Sequence, residues 1–180
     1  AAPPCTGDWV LRWTDIGEHG EKIARLLQQE LRYSPETART AGLRARATVA
    51  VGESCTGGGL GARLTARPGS SAWFVGGAIT YSNDAKVRLL GVDPALIARH
   101  GAVSSEGAGA MAEGARGVTG ATWRIGITGI AGPSGGTAEK PVGLVWIGLS
   151  GPPGTQTFEH RFGRGDLEGV RRRAQTAALH

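Results

Sequence analysis

Sulfur, aromatic side chains and long apolar runs are all scarce in this chain. Its 180 residues hold two cysteines, Cys5 and Cys55. Two thiols that far apart make no dense disulfide framework, which points to a reducing, cytosolic setting. Aromatic residues are only 6% of the chain, too few to interleave with cations along a nucleic-acid groove. The net charge of +5 (20 Lys+Arg against 15 Asp+Glu) permits weak, salt-dependent retention by DNA and no more, so no specific nucleic-acid partner is expected. No run of about 18 apolar residues exists, so no membrane-spanning helix is expected. The four histidines (His19, His100, His160, His180) lack metal-ligand spacing, and no metal is expected. The opening Ala1-Ala2-Pro3-Pro4 is neither a signal-peptide pattern nor an initiator Met.

Glycine is in excess, at 31 of 180 residues, about two and a half times the usual 7%. It follows no triplet period, which excludes collagen. Many glycines cluster between apolar runs, as in loops that carry a binding site. The length suits one domain, and the hydrophobic share of 40% suits an ordinary globular core.

Residues 1–20 read as an N-terminal lead-in, packed on the domain or mobile, and residues 21–180 as a single domain. Ile23, Leu26, Leu27 and Leu31 share a helical face over Glu21–Leu31, and a second helical stretch is expected over Pro35–Ala45. Thr48–Val51 reads as a buried strand, followed by a tight polar loop and a helix over Leu60–Arg67. A strand is expected at Gly77–Tyr81, with Gly76-Gly77 as a break before it. Ser82-Asn83-Asp84 suits the start of a helix over Ala85–Leu90, ended by Gly91. Asp93-Pro94 opens another helix, ended by Gly101. A Gly/Ala-rich helix is expected over Glu106–Val118, strands over Trp123–Thr128, Val142–Leu149 and Phe158–Phe162, and a last helix capped by Asp166 with Leu167, Val170, Ala174 and Ala177 on its face. Strands alternating with helices give an α/β fold, its parallel or mixed central sheet covered on both sides by helices.

Ligands in such sheets bind beyond the carboxyl ends of the strands, and three polar loops follow expected strands: Glu53–Gly59, Tyr81–Lys86 and Thr128–Gly136. The first misses the nucleophile elbow for want of its last glycine, misses the phosphate-binding loop for want of a lysine at Gly58, and lacks the acidic residue of the dinucleotide fingerprint. Ser54 nevertheless leaves a strand on a turn of small residues whose N–H groups suit an anion or an oxyanion. The alternative is a capping turn with Thr56 or Ser54 as the cap. In the second loop, Lys86 near a serine hydroxyl suits a general base if burial lowers its pKa; the alternative is an exposed lysine on a helix. The third, stiffened by Pro133, suits a phosphate or ribose. One arginine of the basic C-terminal segment suits a phosphate grip, the Arg171-Arg172-Arg173 triplet otherwise reading as a solvated helix face. Cys55 reads as a nucleophile or, alternatively, a buried thiol.

These loops also carry a resemblance. Glu53-Ser54-Cys55-Thr56-Gly57-Gly58, Thr80-Tyr81-Ser82-Asn83 with Lys86, His100-Gly101-Ala102-Val103-Ser104, and Thr128-Gly129-Ile130-Ala131-Gly132-Pro133 with Glu139-Lys140-Pro141-Val142-Gly143 resemble, in order and spacing, the CinA C-terminal domain family over about residues 46–180. The resemblance implies a three-layer α/β/α domain, often dimeric, and nicotinamide-nucleotide amidase activity: hydrolysis of nicotinamide mononucleotide to nicotinate mononucleotide and ammonia in pyridine-nucleotide salvage, without a cofactor. It implies Ser54 as the catalytic serine, with Tyr81, Lys86 and Thr128 in the same site; Ser54 acts as the nucleophile or, alternatively, only binds the substrate while an activated water attacks. Substrate contacts are expected from Glu53, Thr56, Gly57, Gly58, Asn83, Gly129, Gly132, Gly135, Gly136, Lys140 and Arg164, with backbone N–H groups near Gly57–Gly58 or the Thr128 hydroxyl meeting the oxyanion. A non-catalytic nucleotide-binding module is the alternative. The stand-alone form is implied, because the large N-terminal domain of some relatives does not fit in 180 residues. Gly52 stands where the family has Ala, and residues 1–20 do not resemble its opening helix.

Overall fold

The computed structural model describes residues 47–66, 69–163 and 165–179. The expected lead-in over 1–20 and the helical stretches over 21–31 and 35–45 lie outside these residues, as does Arg164. The described chain forms one five-stranded mixed sheet with helices on both faces. In chain order its elements are β1 (Val49–Glu53), α1 (Gly59–Thr65), β2 (Phe74–Ile79), α2 (Asn83–Leu90), α3 (Pro94–His100), α4 (Ser105–Thr119), β3 (Trp123–Gly129), β4 (Leu144–Gly151), β5 (Gly154–Arg161) and α5 (Leu167–Ala178). The strand order is β2-β1-β3-β4-β5. β1 runs parallel to β2 and β3, while β4 is antiparallel to both β3 and β5.

The two faces have different chemistry. On one, Val49 and Val51 of β1, Ile125 and Ile127 of β3 and Val145, Ile147 and Leu149 of β4 pack with Leu60 and Leu64 of α1 and Val170, Ala174 and Ala177 of α5. At about 25 cal/mol per Å² of apolar surface, this cluster is the main driving force that clamps α1 and α5 to the sheet. On the other face three glycines stand side by side: Gly52 pairs with Gly126 and Gly126 with Gly148. α4 lies across them. A Cβ on Gly52 would come within 3.0 Å of Met111 O, and one on Gly126 or Gly148 would run into the main chain at Ala108. The glycine excess therefore has a packing cause here: a helix rests its backbone on a bare strip of sheet. α2 packs on α4 through Leu90, Val92, Met111 and Ala115.

Several boundaries depart from the sequence reading. β2 starts at Phe74 and runs through Gly76-Gly77, expected as a break. Gly77 lies against the main chain of Val51, where a side chain would not fit, so the glycines let this edge strand close on β1. β5 begins at Gly154 instead of Phe158, because Pro152-Pro153 makes a tight hairpin from β4; the polar Thr155-Gln156-Thr157 of an exposed edge gives no apolar signal. The α2 and α5 caps are as expected, with Ser82 and Asp166 accepting from the N–H groups of Ala85 and Gly169, and Ser104 caps α4 in the same way by accepting from Gly107 N–H. The α1 cap is not: neither Ser54 nor Thr56 caps it, and its N-cap residue is Gly58.

Candidate functional site

β1, β2 and β3 end on the same side of the sheet, and β4 begins there, with Val145 opposite Gly129. The loops leaving these strands enclose a hollow of about 340 Å³. Ser54 follows β1. Its N–H donates to Ile127 O of β3 (2.9 Å), and the turn closes with Gly57 N–H to Ser54 O (3.0 Å). The side chain therefore faces the hollow from a turn tied to two strands.

Lys86 reaches the same place from the first turn of α2. Its Nζ lies 3.0 Å from Ser54 Oγ, 2.8 Å from Thr80 O and 3.5 Å from Tyr81 O. The residue is 2% exposed, with no carboxylate bonded to it among the described residues. Burial disfavours its ammonium form and lowers its pKa below the ordinary 10.5. Nζ donates to Ser54 Oγ and to the two carbonyl oxygens, one acceptor for each N–H of the ammonium; loss of a proton frees a lone pair to which the Ser54 hydroxyl can donate in turn. An amine and a hydroxyl separated by 32 positions in the chain are thus in hydrogen-bond contact, the arrangement that a base and a nucleophile require.

Of the other expected residues, Tyr81, Asn83, Thr128, Gly129, Gly132 and Gly135 line the hollow, as does Cys55, the alternative nucleophile; so do Ala102, Val103, Ile130, Ala131, Ser134 and Leu167, which sequence reasoning did not single out as contacts. Tyr81 stands at the rim, 63% exposed. The Gly132–Pro133 peptide in the wall is cis. Gly136 lines an adjoining space of about 600 Å³ that shares Ser134 and Gly135 with the first.

Several expected contacts are engaged within the protein or lie off the hollow. Thr128 Oγ1 donates to Ala102 O (3.0 Å), so its proton is engaged and it holds the wall rather than an oxyanion. Lys140 Nζ donates to His100 O (2.6 Å) and Val103 O (2.8 Å) and braces the same wall segment. Glu53, Thr56, Gly57 and Gly58 do not line the hollow. The Glu53 carboxylate instead sits on the start of α1, accepting from Thr56 Oγ1 (2.6 Å) and from the N–H groups of Gly58 (3.1 Å), Leu60 (3.1 Å) and Gly61 (2.8 Å). The helix terminus expected to attract an anion already holds one of the chain's own. With Gly57 and Gly58 bonded, Cys55 and Thr56 carry the N–H groups of this turn that have no acceptor among the described residues.

Burial pushes the Cys55 thiol up to about 12, which keeps it protonated and unreactive. Arg171, expected on a solvated face, instead crosses from α5 to donate through Nε to Cys55 O (2.9 Å), one helical turn beyond Leu167 in the hollow wall. No carboxylate pairs with it among the described residues. The signal that could have found it is the four-residue spacing from Leu167, which puts both on one face. Among the described residues no cluster of His, Cys, Asp and Glu could hold a metal, and no helix is long and apolar enough to cross a membrane.

The model of the CinA C-terminal domain family matches residues 34–180. A CinA-like protein of Parasynechococcus marenigrum is 50% identical over 173 residues, covering 87% of this chain and 41% of that protein. One from a Cyanothece species is 60% identical over 115 residues, 64% of this chain and 28% of that protein. The chain thus spans less than half the length of these curated relatives. Among solved structures, the competence/damage inducible protein CihA from Agrobacterium tumefaciens is 37% identical with a TM-score of 0.73, covering 91% of this chain and 93% of that one. The competence damage-inducible protein A from Klebsiella pneumoniae is 32% identical with a TM-score of 0.72, covering the same shares.

Proposed function

The chain belongs to the CinA C-terminal domain family, and from that premise we propose that it hydrolyses the carboxamide of nicotinamide mononucleotide, releasing ammonia and nicotinate mononucleotide. The observation that carries this reading is the 3.0 Å contact between Ser54 Oγ and a buried, unpaired Lys86 Nζ. An amide resists attack and has a poor leaving group, so it calls for an activated nucleophile and a base that can return the proton.

In this mechanism neutral Lys86 takes the hydroxyl proton as Ser54 Oγ attacks the carboxamide carbon. The tetrahedral oxyanion is met by the N–H groups of Cys55 and Thr56; a donor so placed is typically worth about 3–4 kcal/mol. Lys86 gives its proton to the departing nitrogen, and ammonia leaves an acyl-serine. Water then attacks the ester carbon while Lys86 takes a water proton, and collapse returns that proton to Ser54 Oγ and frees the carboxylic acid. The rim position of Tyr81 suits a ring stacked on the cationic pyridinium, and the uncommitted guanidinium nitrogens of Arg171 suit the phosphate.

The test is ammonia release from the mononucleotide. Ser54→Ala and Lys86→Ala are each expected to lose at least about a thousandfold in kcat while the fold, followed by circular dichroism, persists. An active Ser54→Ala would exclude the acyl-serine. A non-catalytic nucleotide-binding module would bind the mononucleotide without turnover; it leaves the buried amine beside the serine unexplained.

A further inference from the structure

Glu53 was expected to touch substrate, yet its side chain is 1% exposed and faces away from the hollow. We infer that Glu53 is the positioning residue of the catalytic pair, holding Ser54 in reach of Lys86 from behind the turn. The inference rests on the deamidation reading and deepens it.

The hydrogen bonds make the case. The chain leaves β1 at Glu53, presents Ser54, turns, and comes back to the Glu53 carboxylate with donors from residues 56, 58, 60 and 61. All four partners are donors, which matches a group that only accepts. One side chain therefore closes a nine-residue loop, counted 53 to 61, around the nucleophile. The main chain of Glu53 serves the other half of the pair. Its carbonyl accepts from Thr80 N–H (2.6 Å) and Thr80 Oγ1 (3.3 Å), and Thr80 O is the closest acceptor of Lys86 Nζ. Serine and lysine are thus referenced to one residue that neither touches the hollow nor takes part in proton transfer. Misplacing a reacting atom by about 1 Å costs on the order of a hundredfold in rate, so a loosened turn should slow chemistry without weakening binding.

The test uses the full chain and the mononucleotide. Glu53→Gln, which turns an N–H₂ toward existing donors, is expected to lower kcat by about a hundredfold with KM within about twofold. Glu53→Ala leaves donors unmet in a space the size of a small carboxylate, and added formate is expected to restore kcat at least tenfold, with no rescue of Ser54→Ala. A rise in KM with kcat unchanged would mean that Glu53 binds substrate and would overturn the inference, as would an Ala variant that folds and is indifferent to formate. Thr56→Val, which removes one donor, keeps the question open to test if both variants unfold: a several-fold fall in kcat is expected, and no change overturns the assignment. A crystal structure of Glu53→Gln needs no substrate. Ser54 Oγ is expected beyond hydrogen-bond distance of Lys86 Nζ, and a pair kept at its present separation defeats the inference. If the unsubstituted protein releases no ammonia, the deamidation reading alone fails.

Discussion

At Lys86 stability and reactivity respond to pH together. An ammonium at 2% exposure loses hydration that two carbonyls only partly replace, so its proton is held less tightly in the fold than in the unfolded chain. The sign follows. Between the lowered folded pKa and 10.5 the unfolded chain binds more protons, and stability climbs as pH rises through that window. Activity climbs in the same direction, because the base works as the free amine. Two curves check this: kcat against pH is expected to rise to a plateau with its inflection below 10.5, and the urea midpoint is expected to rise over the same range and to flatten in Lys86→Met. The serine and lysine were legible in the sequence because both follow apolar strands within short polar stretches, the serine on a turn and the lysine on the first turn of a helix. The role of Glu53 was not, since a carboxylate beside a glycine-rich turn reads equally as a ligand contact or a cap. Only the direction of its side chain, set by the alternation along β1, decides between them.

Among the elements, α4 against the sheet is the contact most sensitive to volume. Gly126→Ala drives a methyl into the main chain of Ala108 and Ala112 and is expected to cost about 1–3 kcal/mol, read from the urea midpoint. Gly117 sits in the same helix with open space around it, and Gly117→Ala is expected to gain about 0.5–1 kcal/mol. If the two variants behaved alike, helix propensity would be the cause and not the close approach. The Gly/Ala content of this helix announced close packing in the sequence; that its partner would be three glycines on three strands needed the register. Long-range bracing was also hidden. Lys140 holds His100 O and Val103 O, a contact between segments forty positions apart that composition does not signal. Apolar periodicity placed β3, β4 and α5 well, and failed on β5, where an edge strand is polar.

At the scale of the whole molecule, charge matters more than shape. The net charge is +5, and the hollow is lined by no carboxylate. On the proposed reading such a field would draw in the phosphorylated substrate, and its reach contracts to about 10 Å at 0.1 M salt. The ratio kcat/KM is therefore expected to fall with ionic strength, and Arg171→Gln to raise KM by about tenfold to a hundredfold and to flatten that salt dependence; a KM unmoved by the substitution would take Arg171 out of the phosphate site. The basic balance, which by composition alone suggested nothing specific, would gain a role if the cation beside Cys55 O takes the phosphate as proposed. The bare glycine strip beneath α4 bears on the same hollow from below. That helix begins at Ser105, just after the Ala102–Val103 wall, so the spacing between helix and sheet sets how far the wall leans over the serine. A methyl added mid-sheet would act as a shim, forcing the helix off its seat, so an exchange remote from the serine, with no polar atom altered, would loosen the molecule and reshape the cup together.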